Sequence, residues 1–201
     1  TPEDWQRKAM LAIKNNDRVA VKSGHGVGKS ALESWIILWW LLTRYPAKVA
    51  CTAPTGHQLS DVLWGEIAKW YRKLPPGLKS LLAVKNDRVE LVSAPSESFA
   101  VARTARKETP EAFQGFHSEN MLFIIDEASG VEDIIFEVGE GSMSTPGAKT
   151  LMTGNPTRTS GYFYDSFHSS RKLWSTHKVA CADSKMVTKR YVEEMKEKYG
   201  S

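Results

Sequence analysis

The stretch Val19-Ala20-Val21-Lys22-Ser23-Gly24-His25-Gly26-Val27-Gly28-Lys29-Ser30 decides how this chain folds. A short apolar run enters a glycine-rich turn, the turn closes on Gly-Lys-Ser, and an apolar segment opens with Ala31-Leu32. Strand, loop and helix in that order make a phosphate-binding loop. Gly24, Gly26 and Gly28 let the backbone bend until consecutive N–H groups point into one concavity, a cradle for phosphate oxygens. His25 and Val27 fill the places between them. The Lys29 ammonium can reach the β- and γ-phosphates of a nucleotide, and the Ser30 hydroxyl can ligate Mg²⁺. The common form of the loop opens with glycine. Ser23 stands in that place and is small enough to fit.

About a hundred residues on, Asn120-Met121-Leu122-Phe123-Ile124-Ile125-Asp126-Glu127-Ala128-Ser129 carries the second half of the chemistry. Its unbroken apolar run is the mark of a strand buried on both faces of a parallel sheet. Two adjacent acids end it. Asp126 would sit near the metal or accept one of its waters, and Glu127 would polarise the attacking water. GTPases usually place Asp-x-x-Gly here and carry an Asn-Lys-x-Asp base reader, which this sequence lacks. A further strand over 149–155 ends in Thr153-Gly154-Asn155, a small polar set able to sense the γ-phosphate through the attacking water or Glu127.

Apolar spacing predicts helices over about 4–15, 29–44, 57–73, 131–139, 161–169 and 191–199. Strands are predicted over 48–53, 98–105 and 173–180, with 84–92 turning at Asn86-Asp87. In the first helix Gln6 is either a surface amide or, as in many ATP-driven nucleic-acid motors, a reader of adenine, because an amide offers donor and acceptor together. Trp35, Trp39 and Trp40 are expected to pack against the sheet rather than stack on bases. The loop Thr52-Ala53-Pro54-Thr55-Gly56-His57-Gln58 falls on the ligand-bearing edge of such a sheet or is an ordinary connection.

With 201 residues and 41% hydrophobic content, the chain can build one sizeable core. A net charge of +4 permits a polyanionic partner without requiring one. Cys51 and Cys181 stand far apart in no metal-ligand spacing, as expected of reduced thiols. The longest apolar run, residues 35–42, is too short to span a bilayer. The first residue, Thr1, suggests a trimmed terminus.

Taken together, these motifs resemble the ATPase domain of the large terminase subunit of tailed bacteriophages. The likeness rests on Trp5-Gln6, the loop at 23–30, Cys51-Thr52-Ala53-Pro54-Thr55, Arg103-Thr104-Ala105-Arg106-Lys107, and Glu111-Ala112-Phe113-Gln114-Gly115-Phe116-His117. It continues through Phe123-Ile124-Ile125-Asp126-Glu127-Ala128-Ser129-Gly130 and Thr153-Gly154-Asn155-Pro156-Thr157-Arg158 before Gly161-Tyr162-Phe163-Tyr164. The resemblance implies an ATP- and Mg²⁺-dependent translocase of double-stranded DNA, working as a homo-oligomeric ring in the host cytoplasm. It also implies a portal and a small terminase subunit as partners, and Thr153, Gly154 and Asn155 as the motif coupling hydrolysis to movement. Many terminases carry Arg within the phosphate loop where His25 stands, so the arginine finger falls to Arg106, Arg103 or Arg158. The implied fold is α/β, a P-loop ATPase of the RecA-like kind with an additional catalytic glutamate and a mostly parallel central sheet flanked by helices. Residues 1–180 would form that domain, and 181–201 would lead into a nuclease domain that this sequence does not contain, so no nuclease activity is expected of it.

Two other functions fit the same motifs. A helicase-type DNA-remodelling ATPase shares the loop, the Asp-Glu pair and the upstream Gln, but normally needs a second motor domain. A nucleotide-gated ring module would bind ATP without productive turnover, and Glu127 argues against it.

Overall fold

The computed structural model describes residues 1–104 and 116–199. Eight strands form one sheet: β1 (Arg18–Ser23), β2 (Ala47–Thr52), β3 (Leu82–Val84), β4 (Arg88–Leu91), β5 (Phe99–Ala102), β6 (Asn120–Ile125), β7 (Lys149–Gly154) and β8 (Ser175–Val179). Their order across the sheet is β3-β4-β5-β2-β6-β7-β1-β8. The run from β5 to β8 is parallel throughout. The hairpin β3–β4 adds an antiparallel edge through β4. The α/β fold expected from the motifs is therefore present, a mostly parallel sheet with helices on both faces.

Alternation along each strand sorts the core into two halves. Val19, Val21, Val49, Leu122, Ile124 and Leu151 face helices α1 (Asp4–Asn15), α2 (Lys29–Thr43) and α3 (Trp64–Arg72). Ala20, Phe123, Ile125 and Met152 face the other way, onto Ile135 and Phe136 of α5 (Asp133–Ser142) and Phe163 of α6 (Tyr162–Asp165). A short α4 (Pro76–Lys79) precedes the hairpin, and α7 (Lys189–Tyr199) closes the described chain. Residues Gln58–Leu63 are wound as a π-helix that runs directly into α3, inside the helix expected over 57–73.

Two expectations change. The helix expected over 161–169 is a single turn, Tyr162–Asp165, after which Phe167 and His168 fall back to tighter three-residue hydrogen bonds. The tryptophans of α2 divide: Trp40 is buried, with its indole N–H donating to the Asn120 carbonyl at 3.1 Å. Trp35 and Trp39 instead sit half-buried in the outer helical layer, where Trp35 meets Trp70 of α3 edge to face at 4.8 Å. A helix covered by the sheet on one side and by α1 and α3 on the others needs apolar residues all round, so periodicity alone could not assign each ring to a layer.

Candidate nucleotide site

Because β1, β6 and β7 are parallel, their carboxyl ends share one edge, and the loops that leave them meet there. β7 lies between the other two. The polar end of β7 is thereby wedged between the phosphate loop and the acidic pair.

The loop leaves β1 at Ser23, which is buried beside Val179 in the β1–β8 register and whose hydroxyl donates to the Gly24 carbonyl at 3.0 Å. Serine is accommodated because its one polar atom has a partner. Gly26 and Gly28 adopt φ values of +72° and +92°, where a Cβ would be strained. Gly28 then caps α2, so Lys29 and Ser30 form its first turn, where backbone N–H groups lack partners within the helix. Val27 is buried, whereas His25 faces solvent.

Lys29 is only 8% exposed. Its ammonium donates to Asn155 Oδ1 at 2.8 Å and stands 3.3 Å from Glu127 Oε1. Glu127 also accepts a longer bond, 3.4 Å, from the Asn155 backbone N–H. Glu127 has φ +47°, the only non-glycine residue at positive φ among those described, a conformation held by its surroundings and typical of functional sites. Asp126, 2% exposed, accepts the Glu127 N–H at 2.9 Å and faces the Thr153 hydroxyl at 3.3 Å. Burial, then the neighbouring Glu127, raise its carboxyl to about 6. The sequence-expected loop, acids and Thr153-Gly154-Asn155 are thus gathered at one place. A Cβ on Gly154 would lie 3.0 Å from the Ala128 backbone N, so the two strand ends touch through that glycine.

Gln6, 1% exposed, lies beneath the loop. Its Nε2 donates to the Gly28 carbonyl at 3.0 Å and its Oε1 accepts the Glu3 N–H at 2.8 Å. It is not the surface amide: it is buried, and its two bonds use one of its two N–H donors and one of its two acceptor lone pairs. Arg103 stacks over Phe116 at 5.2 Å, and Arg158 stands 3.8 Å from Glu132. Arg106 lies outside the described residues.

Two features had no signal in the sequence. Glu33 is fully buried and accepts the Thr153 hydroxyl at 2.6 Å. The segment after β8 crosses the loop: a Cβ on Gly24 would lie 2.1 Å from Cys181 Sγ, and one on Gly28 2.7 Å from Met186 Sδ. The Lys185 N–H donates to Glu3 Oε1 at 2.8 Å, tying the crossing segment to α1. Nearby, Pro54 from the loop after β2 packs against Gly130, which brings that loop to the turn behind Glu127.

A serine hydroxyl and a carboxylate are hard oxygen donors suited to Mg²⁺, which is commonly held by one or two carboxylates together with substrate phosphates. Ser30, in the first turn of α2, and Asp126, following β6, are residues of that donor type. Among the described residues no cluster of three His, Cys, Asp or Glu side chains forms a preformed metal cage.

No protein-family profile matches the chain. It is 31% identical over 169 residues to the probable terminase large subunit of Enterobacteria phage P7, an alignment covering 82% of this chain and 34% of that protein. The chain is a relative of the phage large terminases. It spans about a third of the length of that curated relative. In three dimensions this terminase relative resembles the large terminase of a thermophilic bacteriophage solved with ADP, with TM-score 0.77 at 13% identity over 99% of this chain and 50% of that one. The ATPase domain of the Thermus phage P74-26 large terminase superposes with TM-score 0.70 at 17% identity over 99% of this chain and 88% of that domain. The UvsW helicase of bacteriophage T4 follows at 0.58 and 14% identity, over 89% of this chain and 59% of that one. These superpositions establish the fold. Among the described residues no helix is long and apolar enough to cross a membrane.

Proposed function

We propose that this chain hydrolyses ATP and that hydrolysis powers the movement of double-stranded DNA, in the manner of a genome-packaging motor. One observation carries the reading. Lys29, Asp126, Glu127 and Asn155 converge behind a phosphate-loop backbone, in a chain related to a terminase large subunit. With a triphosphate in the cradle, the loop amides and Lys29 hold its oxygens, and Lys29 must then leave Glu127 and Asn155. Released, Glu127 is the base that orients and deprotonates the attacking water. Mg²⁺, when bound by Ser30 and Asp126, neutralises charge on the phosphates. Gln6 would read adenine with the second N–H and second lone pair that its bonds to Gly28 and Glu3 leave over.

An arginine reaching the site from Arg103, Arg106 or Arg158, in the same subunit or in a ring neighbour, would raise turnover by about 10³–10⁵. The isolated domain is accordingly slow. In this reading residues 1–180 form the motor domain, 181–201 lead onward, and the portal and small subunit are its partners in the host cytoplasm. The superposition on a helicase keeps DNA remodelling as the second reading.

Phosphate release from ATP and Mg²⁺, with and without duplex DNA, tests the proposal. DNA-stimulated release that disappears in Glu127→Gln supports it. Nucleotide binding with no release under any condition would replace it with the ring-gating module, and strand separation without translocation would favour the helicase.

A further inference from the structure

We propose that Glu33 is a positioning residue that pins the end of β7 to the phosphate-loop helix through the Thr153 hydroxyl. The inference rests on the hydrolytic reading of the site. It begins with spacing. Lys29 and Glu33 are four residues apart on α2 and share a face, separated by about 6 Å along the helix. Thr153 lies in β7 and Asn155 just past its end, two residues on, and both side chains reach α2. The two rows match: Lys29 donates to Asn155 at 2.8 Å, and Thr153 donates to Glu33 at 2.6 Å. Helix and strand end are held by a two-point clamp.

The two points differ in what nucleotide does to them. The Lys29–Asn155 contact must open when phosphates claim the ammonium. The Glu33–Thr153 contact lies deeper, with Glu33 and Thr153 both fully buried. It is therefore the point that stays fixed while its neighbour lets go, and β7 turns about it.

Thr153 has one hydroxyl proton and two carboxyl neighbours, Glu33 at 2.6 Å and Asp126 at 3.3 Å. The shorter contact takes the proton. Without Glu33 the hydroxyl would turn to Asp126 and draw on the carboxylate assigned to the metal. Burial and the nearby Asp126 hold the Glu33 carboxyl well above the usual carboxylate range, with Lys29 opposing and Glu127 adding to the rise. A neutral acceptor fits that setting, and its second oxygen has no partner.

The test uses the full chain and compares Glu33→Gln, which keeps the acceptor, with Glu33→Met, which fills similar volume without one. ADP affinity and the rate of phosphate release from ATP are measured for each. Glu33→Met should bind ADP within about threefold of wild type but release phosphate about 10- to 100-fold more slowly, the scale of a misplaced reacting group. Glu33→Gln should recover most of the rate, and Thr153→Val added to Glu33→Met should cost nothing further. Unchanged release in Glu33→Met, or a loss in Glu33→Gln as deep as in Glu33→Met, overturns the proposal. Should thermal melts show Glu33→Met unfolded, Thr153→Val reads the same hydrogen bond from its donor side, and an unchanged rate there overturns it. A wild type that releases no phosphate defeats the hydrolytic reading instead, and is told apart by that control.

Discussion

The two ends of α2 sit in opposite physical regimes. Its last turns carry Leu38, Trp40 and Leu41 into a core of apolar side chains, with Trp40 giving its one polar atom to a carbonyl. Its first turns carry Lys29 and Glu33 into an equally dry place beside Asp126, with a buried carboxyl oxygen unpartnered and Glu127 at positive φ nearby. The first region follows the rules that stabilise a fold, and the second breaks several at once. Buried charge and a strained backbone persist only where the surroundings impose them. A helix that is stable at one end can hold an unstable constellation at the other, and the contrast locates the chemistry before any ligand is considered.

Changes at the two ends should therefore fail differently. Glu127→Gln keeps shape and removes the base, so phosphate release should fall about 10²–10⁴-fold while the melting temperature and nucleotide affinity hold. A variant that still turned over within tenfold of wild type would move the base elsewhere. Trp40→Ala should do the reverse. Emptying a buried indole site costs about 3–5 kcal/mol of stability, read by urea denaturation, while the activity of the protein that remains folded is preserved. Loss of activity in folded Trp40→Ala would erase the contrast.

Much of this was legible in the sequence, and the boundary of what was not follows the same contrast. The phosphate loop and the strand ending in Asp126-Glu127 are local patterns: backbone freedom at glycines, a two-faced apolar run, and acids where it stops. Each needs only its own neighbours to be read. The placement of β7 between β1 and β6 is a sheet property, and no residue of 149–154 announces it. Glu33 resembles any acid on a helix until Thr153, 120 residues away, is brought to it. Trp35 and Trp40 were indistinguishable by period because α2 is covered on several sides. The crossing of Cys181 and Met186 over the loop depends on the path of the chain after β8, where the sequence has no apolar rhythm to declare it.

The acidic end should also show its cost as a pH dependence. Asp126 holds its proton up to about pH 6 in the folded protein, against an ordinary value of 3.8. Between those values the folded state keeps a proton that the unfolded chain releases, so stability falls as pH rises through the window. The full cost is in place above about pH 6 and absent below about 4, and two pH units amount to about 3 kcal/mol. Asp126→Asn removes the titration. Without nucleotide it should melt roughly 5–10 °C above wild type at pH 7.5, for a chain of this size, with the gap closing at pH 4. A gap equal at both pH values would show that Asp126 does not carry the cost. The same variant should lose Mg²⁺-dependent turnover.

The smallest effect expected lies between the two regimes, where the segment after β8 crosses the loop. Gly24 is not at positive φ, so alanine there is compatible with the backbone. Its obstacle is a side chain, because the new Cβ would lie 2.1 Å from Cys181 Sγ. Overpacking of this kind typically costs about 1–3 kcal/mol, and here the loop must move or the crossing segment must lift. Gly24→Ala should therefore weaken ADP binding about tenfold, near the low end of that range. Cys181→Ala alone should leave affinity unchanged. In the double variant the nearest remaining side-chain atom, the Cβ of residue 181, is at 3.5 Å, an ordinary contact, so affinity should return. Titration of a fluorescent ADP analogue against the four proteins reads the cycle directly. Rescue would show that the segment sets the loop's shape from outside. Failure of rescue, with Gly24→Ala still weak, would place the requirement for glycine within the loop, where a Cβ meets the phosphates rather than the protein.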